Sequence, residues 1–419
     1  MVLLREWSRH ELAGARLSSE SARELARALS GSGVLDVAEL VDGVRLASYS
    51  WVGRLQLGDL TVTIEPKIAI DDLLALVRYA YGLRDLRRFD ASWFSRGSRL
   101  LQDLLAAQLH AEVSELMRRG LHRAYVTRSD WLTSPRGRLD MNALARRSEA
   151  TSALPCRHHP RSRNHMLHGV VLSGLGLAAH LCASPDLRRD LRRLATQLGH
   201  EIDPVPLDAA SIRAAWRAMN RLVAAYEPSL RLIEILYESQ TASFEGARAL
   251  TLPGFLFDMN RFFQALVGRL LRENLPGCRV MEERSLRKMM GFVPGKNPQG
   301  RRPPRPRPDF AVERNGERIL LDAKYRDLWE TPLPRSMLYQ LAIYALSREG
   351  RATAAIVYPA ASPAATEAII EIRDPSGDGA LGYVALRPLI LADLAAAIRD
   401  DDASRLHQLA ARATSGDAA

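Results

Sequence analysis

From Leu60 to Glu65, apolar Leu60, Val62 and Ile64 alternate with Thr61, Thr63 and Glu65. This period of two predicts a half-buried strand. Residues 1–85 therefore read as β-rich, with one short helix over Ser19–Leu29. Beyond residue 86 the period lengthens. Leu/Ala/Arg segments at Ser98–Arg118, Asn164–Ala183 and Ala209–Tyr226 predict helices, punctuated by Pro155, Pro160, Pro204 and Pro206. From Pro253 a third segment begins with a helix over Met259–Glu273, which sets Phe263, Leu266, Leu270 and Leu271 on one face. Strands follow at Arg279–Glu283, Pro308–Glu313 and Ile319–Tyr325, then a helix around Gln340 and a strand at Ala354–Tyr358. The expected architecture is a multidomain α/β chain: a β-rich domain over 1–85, a helical region over 86–250 and an α/β domain over 251–419. The Ser/Gly/Asp/Ala-rich end is expected to fray from about Ala413. The apolar stretch Leu167–Ala183 is broken by His168 and His180 and falls short of the roughly 20 residues a membrane span needs, so it predicts a core helix.

Within the third segment, Asn315-Gly316 sits between the apolar pair Phe310 and Val312 and the apolar run Ile319-Leu320-Leu321. Asn-Gly between two such runs signals a two-residue type I′ hairpin, which needs φ > 0 at both loop positions. Counting back from that turn puts Arg314 opposite Glu317 and Asp309 opposite Asp322. Directly opposed residues hold their Cβ atoms about 4.5–5.5 Å apart. Two carboxylates that close repel, and a divalent cation between them would relieve the repulsion. Lys324 lies two residues past Asp322 and points to the same face. Two acids and an amine on one surface make a candidate metal-dependent hydrolytic site.

Composition adds weight to that lysine. Only Lys67, Lys288, Lys296 and Lys324 occur, against a large excess of arginine. Arg is always protonated and forked, whereas Lys is a compact amine whose pKa moves on burial. Lys288 and Lys296 read as surface lysines. The formal net charge of +10 favours an anionic partner, although isolated pairs such as Arg87-Arg88 and Arg192-Arg193 equally suit solvated helix faces. The run Arg301-Arg302-Pro303-Pro304-Arg305-Pro306-Arg307-Pro308 is different, because it cannot be helical and leads into Asp309. Arg301, Arg302, Arg305 and Arg307 are candidates for a DNA phosphate backbone, with an ordinary linker as the alternative. Cys156, Cys182 and Cys278 have no paired spacing, which fits a reducing cytoplasm, as does the lack of a basic-then-apolar leader. The His158, His159, His165 and His168 group matches no zinc spacing. Gly291–Lys296 is one residue short of a phosphate loop and lacks the following Ser or Thr, so no nucleotide site is expected.

Pro308-Asp309 with Asp322-Ala323-Lys324 resembles the PD-(D/E)xK nuclease superfamily, and the helix, three-strand, helix, strand order is that of a restriction-endonuclease-like fold. Gln340 and Tyr344, at i and i+4 on one helix face, resemble its RecB-type branch. Pro-Asp-Phe followed by Leu320-Leu321-Asp322-Ala323-Lys324-Tyr325-Arg326 resembles the McrC family, the nuclease subunit of McrBC modification-dependent restriction systems. Val52-Gly53-Arg54-Leu55, Ile64-Glu65-Pro66-Lys67-Ile68, Arg136-Gly137-Arg138-Leu139-Asp140 and Arg163-Asn164-His165-Met166-Leu167 fit the same family. The resemblance implies a Mg²⁺-dependent DNA endonuclease subunit of an anti-phage defence system, activated by an AAA+ GTPase partner, McrB, that reads modified DNA. It implies Asp309, Asp322 and the Ala323 carbonyl as metal ligands, Lys324 as the residue orienting or activating water, and Gln340 and Tyr344 in support. Relatives often carry a glutamate where this chain has Gln264, and an acid where it has His158-His159. The alternatives are a free-standing RecB-like nuclease, or a weakly catalytic adaptor that stimulates the partner GTPase.

Overall fold

The computed structural model describes residues 1–83, 100–146, 152–242, 250–251, 253–283, 285–286, 289–347, 353–377 and 379–414. The fold is mixed α/β, with several sheets and twelve helices among these residues. The chain divides into two compact units, one of residues 1–85 with 256–419 and one of residues 86–255. The first and third expected segments thus share one unit.

In the first unit, Leu60–Glu65 pairs antiparallel with Trp51–Leu57 and parallel with Val2–Arg5, and Gly254–Asp258 completes the sheet at the far edge. Leu60–Glu65 lies inside the sheet, so Thr63 is buried along with Val62 and Ile64 rather than facing solvent. Arg9–Ala13, Gly43–Ser48 and Leu35–Leu40 form a second, three-stranded sheet. The expected short helix spans Glu20–Gly31, with the Ser19 hydroxyl accepting from the Ala22 N–H as its N-cap. A helix not expected from the sequence follows at Ile70–Tyr81, where Leu73, Leu76, Val77 and Ala80 share the buried face. Gly82 ends it at φ 67°, the left-handed cap that glycine adopts without strain.

The larger sheet has six strands in the order Arg279–Glu282, Phe310–Arg314, Glu317–Ala323, Thr353–Ala360, Ala380–Ile390, Ala368–Arg373. The hairpin strands are antiparallel, and Thr353–Ala360 runs parallel to both Glu317–Ala323 and Ala380–Ile390. Strand alternation gives this sheet two apolar faces. One meets the helix Met259–Asn274, which buries Phe262, Phe263, Leu266 and Leu270. It approaches so closely that a Cβ at Gly268 would lie 2.9 Å from the Phe310 ring. The other face carries Ala311, Leu320, Ile356 and Val384 against Leu341, Tyr344 and Ala345 of the helix Arg335–Ala345.

Two helices close the unit, Leu391–Arg399 and Ala403–Thr414. The expected fraying at Ala413 is not found: Ala413 is buried, and its carbonyl accepts from the buried Arg387 guanidinium at 3.1 Å. Residues 415–419 lie outside the described residues.

The second unit is built on the helices Leu101–Arg119, Met166–Leu181, Pro185–Gly199, Ala209–Arg217 and Glu227–Gln240. Ser98, at the start of the first expected helix, lies outside the described residues, as do Arg87 and Arg88. Two expectations need correction. The helix expected over Ala209–Tyr226 stops at Arg217; the Asn220 side chain bonds the Ala218 carbonyl and the Leu222 N–H, and the chain turns there. The region is also not purely helical. Arg128–Leu132, Leu154–His158 and Arg138–Leu139 form a three-stranded sheet, and Ala124–Tyr125 pairs with Arg161–Ser162. These strands are short and mostly solvent-facing, so they leave no apolar alternation to read. The apolar stretch near His168 is the core helix Met166–Leu181. None of the described helices is long and apolar enough to cross a membrane.

Candidate active site

The hairpin turn has the expected conformation, with φ of 51° at Asn315 and 83° at Gly316. Pairing runs from Arg314 opposite Glu317 to Phe310 opposite Leu321. One step further brings Asp309 and Asp322 together, and each carboxylate holds the other residue's strand end. The Asp309 N–H donates to Asp322 Oδ1 at 3.2 Å, and the Ala323 N–H donates to Asp309 Oδ2 at 2.9 Å. The next N–H, that of Lys324, turns to the opposite edge and donates to the Val357 carbonyl at 3.1 Å. That bond anchors the lysine backbone to the neighbouring strand and leaves its side chain on the acidic face.

Lys324 Nζ stands 3.3 Å from Asp322 Oδ2 and 3.6 Å from Asp309 Oδ2. The three side chains are 29%, 3% and 17% exposed for Lys324, Asp322 and Asp309, so water screens them little. Burial pushes the Asp309 carboxyl up to about 6, and the Asp322 charge adds to the rise. Burial pulls the Lys324 amine down, but the Asp322 and Asp309 charges outweigh it and leave the amine above its ordinary value. Lys324 is therefore an ammonium here.

Gln264, from the helix Met259–Asn274, reaches the same place. Its Nε2 donates to Asp309 Oδ1 at 3.3 Å, so it contributes a neutral donor and no third charge. Tyr344 is buried against the sheet, and Gln340 Nε2 bonds its hydroxyl at 2.7 Å. Burial pushes that hydroxyl up to about 12, with the Asp322 and Asp309 charges adding to the shift. Gln340 and Tyr344 thus share a helix face as expected, with Tyr344 in electrostatic reach of both carboxylates.

The arginine run is non-helical, as its prolines require. Residues 301–308 form neither helix nor strand, and Arg301, Arg302 and Arg305 are exposed. The run is tied down at its end, where the Leu286 N–H donates to the Pro306 carbonyl at 2.9 Å. Arg307 is not free for an outside anion: its Nε bonds the Glu283 carbonyl at 3.0 Å and its guanidinium pairs with the Glu283 carboxylate. Nothing adjacent in sequence signals that acid, 24 residues upstream. Gly291–Lys296 is not flanked by the strand and helix that a phosphate loop joins, and Lys288 lies outside the described residues. His168 bonds the Arg163 carbonyl at 2.6 Å and the Tyr226 hydroxyl at 2.8 Å, a buried structural arrangement.

The donor set suits a hard divalent cation. Asp309 Oδ2 and Asp322 Oδ2 already converge on one positive charge, that of Lys324, and carboxylate oxygens are the ligands Mg²⁺ takes, usually with several waters. Among the described residues no cluster of three or more His, Cys, Asp or Glu side chains accompanies them, so the protein would supply only part of the coordination shell.

Fold and site together describe a mixed α/β protein that holds a buried carboxylate pair against a lysine. A family model for a McrBC 5-methylcytosine restriction system component matches residues 46–359, well over half of the sequence. The chain belongs to this McrBC family. Its fold is similar to that of a chain in the refined half-complex from a tetradecameric assembly of Thermococcus gammatolerans McrB AAA+ hexamers with bound McrC. That likeness has a TM-score of 0.59 at 18% identity and covers 93% of this chain and 94% of the other. A chain of the cryo-EM structure of the Thermococcus gammatolerans McrBC complex aligns with 65% of this chain and 88% of its own length, at 17% identity and a TM-score of 0.48. No curated protein sequence matches this one.

Proposed function

We propose that this chain is the McrC-type nuclease subunit of a McrBC-like restriction system, a Mg²⁺-dependent DNA endonuclease of the PD-(D/E)xK kind that works with an AAA+ GTPase partner. The observation that carries this reading is the convergence of Asp309, Asp322 and Lys324 at 3.3–3.6 Å on one face of the hairpin. Two buried carboxylates directly opposed cost stability, and a fold that builds them in is using them. The family match supports a restriction role. The similar structure contains McrC bound to McrB hexamers, which supports an oligomeric AAA+ partner here.

In this reading Asp309, Asp322 and the Ala323 carbonyl hold the cation. When bound, Mg²⁺ supplies Lewis-acid polarisation of the scissile phosphate and a more acidic water. The chain does the rest. The Ala323 N–H and Gln264 fix both Asp309 oxygens, so that carboxylate is oriented before any ligand arrives. Lys324, an ammonium, donates to the attacking water or to the phosphate oxygens where negative charge grows. Gln340 and Tyr344 brace the carboxylate face. Arg301, Arg302 and Arg305 contact the DNA backbone as the strand enters, with Arg307 setting the angle of the arm through Glu283.

The test is Asp322→Ala in the complex with its partner. Loss of Mg²⁺-dependent cleavage with partner binding retained is the expected result. Unchanged cutting would place the reaction elsewhere. Robust cutting by the isolated wild-type chain without a nucleoside triphosphate would instead favour a free-standing nuclease.

A further inference from the structure

A cavity of about 220 Å³ lies behind the lysine strand, lined by Glu6, Trp7, Lys67, Tyr325, Arg326 and the starts of two helices. A water occupies about 30 Å³ of liquid, so the space exceeds what one or two waters need. Glu6 is 1% exposed. Its Oε1 accepts from the Tyr325 hydroxyl at 3.4 Å, while its Oε2 has no hydrogen-bond partner. Leaving a buried polar atom unpaired is costly and calls for a ligand. Burial pushes this carboxyl up to about 8, so near neutrality it carries its proton, and the oxygen left to bear it is Oε2. The unpaired group is then a donor.

The rest of the lining points the same way. Lys67, one of only four lysines, is exposed at the rim. Arg326 lies over the Trp7 ring at 5.5 Å, and Trp7 is held at φ 59°, a left-handed conformation that a bulky residue adopts only under constraint. Ala69 is the N-cap of the helix Ile70–Tyr81, and Leu391 and Ala392 open the helix Leu391–Arg399; neither N-terminus has a side-chain cap. The starts of both helices therefore border one cavity, although their first turns also carry Asp71, Asp72 and Asp393. The acids nearby are already engaged. Asp72 pairs with Arg399, and Asp327 accepts backbone N–H groups from Trp329, Glu330 and Ala361.

Glu6 Oε2, Lys67 and Arg326 thus converge on one cavity, whose two other lining carboxylates, Asp72 and Asp327, already have partners; Arg326 Nε bonds the Thr331 hydroxyl at 3.4 Å. We propose that this cavity binds a phosphate group, received by Glu6 Oε2–H, the Lys67 ammonium, the Arg326 guanidinium and the two helix N-termini. The proposal does not depend on the nuclease reading, because the cavity shares no side chain with Asp309, Asp322 or Lys324. The phosphate can be free inorganic phosphate or the terminal monoester of a nucleic acid, and the chemistry of the cavity is the same for both.

The experiment uses the full chain in EDTA, so that no cleavage intrudes. Calorimetry measures binding of inorganic phosphate, and fluorescence anisotropy compares a 5′-phosphorylated short duplex with its 5′-hydroxyl twin. Wild type should bind phosphate saturably or prefer the phosphorylated duplex. Lys67→Ala should weaken that binding at least threefold and Lys67→Ala with Arg326→Ala at least tenfold, with unchanged denaturation midpoints in the absence of phosphate. Glu6→Gln keeps the shape and one donor and should stay within about threefold of wild type. Binding of inorganic phosphate identifies the free anion as a ligand, and discrimination confined to the duplex pair identifies a nucleic-acid end. Equal binding by wild type and the double variant overturns the proposal, as does wild type that neither binds phosphate nor distinguishes the two duplexes.

Discussion

Replacing Asp309 by asparagine tests whether the carboxylate pair is a stored electrostatic cost. Burial and the Asp322 charge raise the Asp309 carboxyl from 3.8 to about 6. The folded protein therefore binds this proton more tightly than the unfolded chain does. The stability it contributes is full below about pH 4 and is lost as the pH rises through about 6. At 1.36 kcal/mol per pH unit, a rise of roughly two sets a ceiling of about 3 kcal/mol on the cost of ionising Asp309 at pH 8. Asparagine avoids the charge and can still accept from the Ala323 N–H, while Gln264 can rotate its amide to offer an oxygen to the new NH₂ group. Lys324 loses one partner but keeps Asp322 at 3.3 Å, a loss on the order of 1 kcal/mol. The expected net effect of Asp309→Asn is a gain of about 1–2 kcal/mol at pH 8 that vanishes at pH 4, measured by denaturant unfolding at both pH values. Millimolar Mg²⁺ should stabilise wild type, by about 2.7 kcal/mol at a hundred times its Kd, and leave the variant unchanged. The variant should not cut DNA. If wild type and variant differ by the same amount at pH 8 and pH 4, the charge on Asp309 is not strained, and the argument for a cation between the carboxylates fails.

Other substitutions separate the roles of the neighbouring groups. Lys324→Arg keeps the charge, but its planar fork does not reproduce one compact ammonium at 3.3–3.6 Å from two carboxylates; cleavage by the activated complex should fall at least a hundredfold, whereas exposed Lys296→Arg should be silent, and normal cutting by Lys324→Arg would reduce that residue to a surface charge. Arg302→Ala with Arg305→Ala should weaken non-specific DNA binding and lower the slope of log K against log salt by roughly two, while Arg307→Ala, already paired with Glu283, should change the slope by less than one; equal effects per arginine would refute that distinction. Tyr344→Phe removes the hydroxyl that Gln340 bonds at 2.7 Å and should cost about 1 kcal/mol of stability with a fall in cleavage rate at saturating DNA. A loss seen only in DNA affinity would instead make Tyr344 a backbone contact.

Much of the site was legible along the chain because it is local. A two-residue turn fixes register, register sets Asp309 against Asp322, and alternation sets Lys324 beside them; all three steps need only residues 309–324. Gln340 and Tyr344 share a helix face by spacing alone, and the scarcity of lysine by itself singles out Lys324. The apolar period of two and the long Leu/Ala segments likewise marked the sheets and helices that bury them. What stayed hidden depends on residues distant in sequence. Gln264, singled out by family resemblance and by no local pattern, reaches Asp309 across 45 positions; Glu283 claims Arg307 across 24, and Glu6 meets Tyr325 across 319. No local pattern records such pairs. The same holds for the union of residues 1–85 with 256–419, for Thr63 inside a sheet, and for the Ala403–Thr414 helix that Arg387 holds in place. Periodicity reports which face of an element is apolar, but only packing decides which other element covers that face and which polar groups are stranded beneath it.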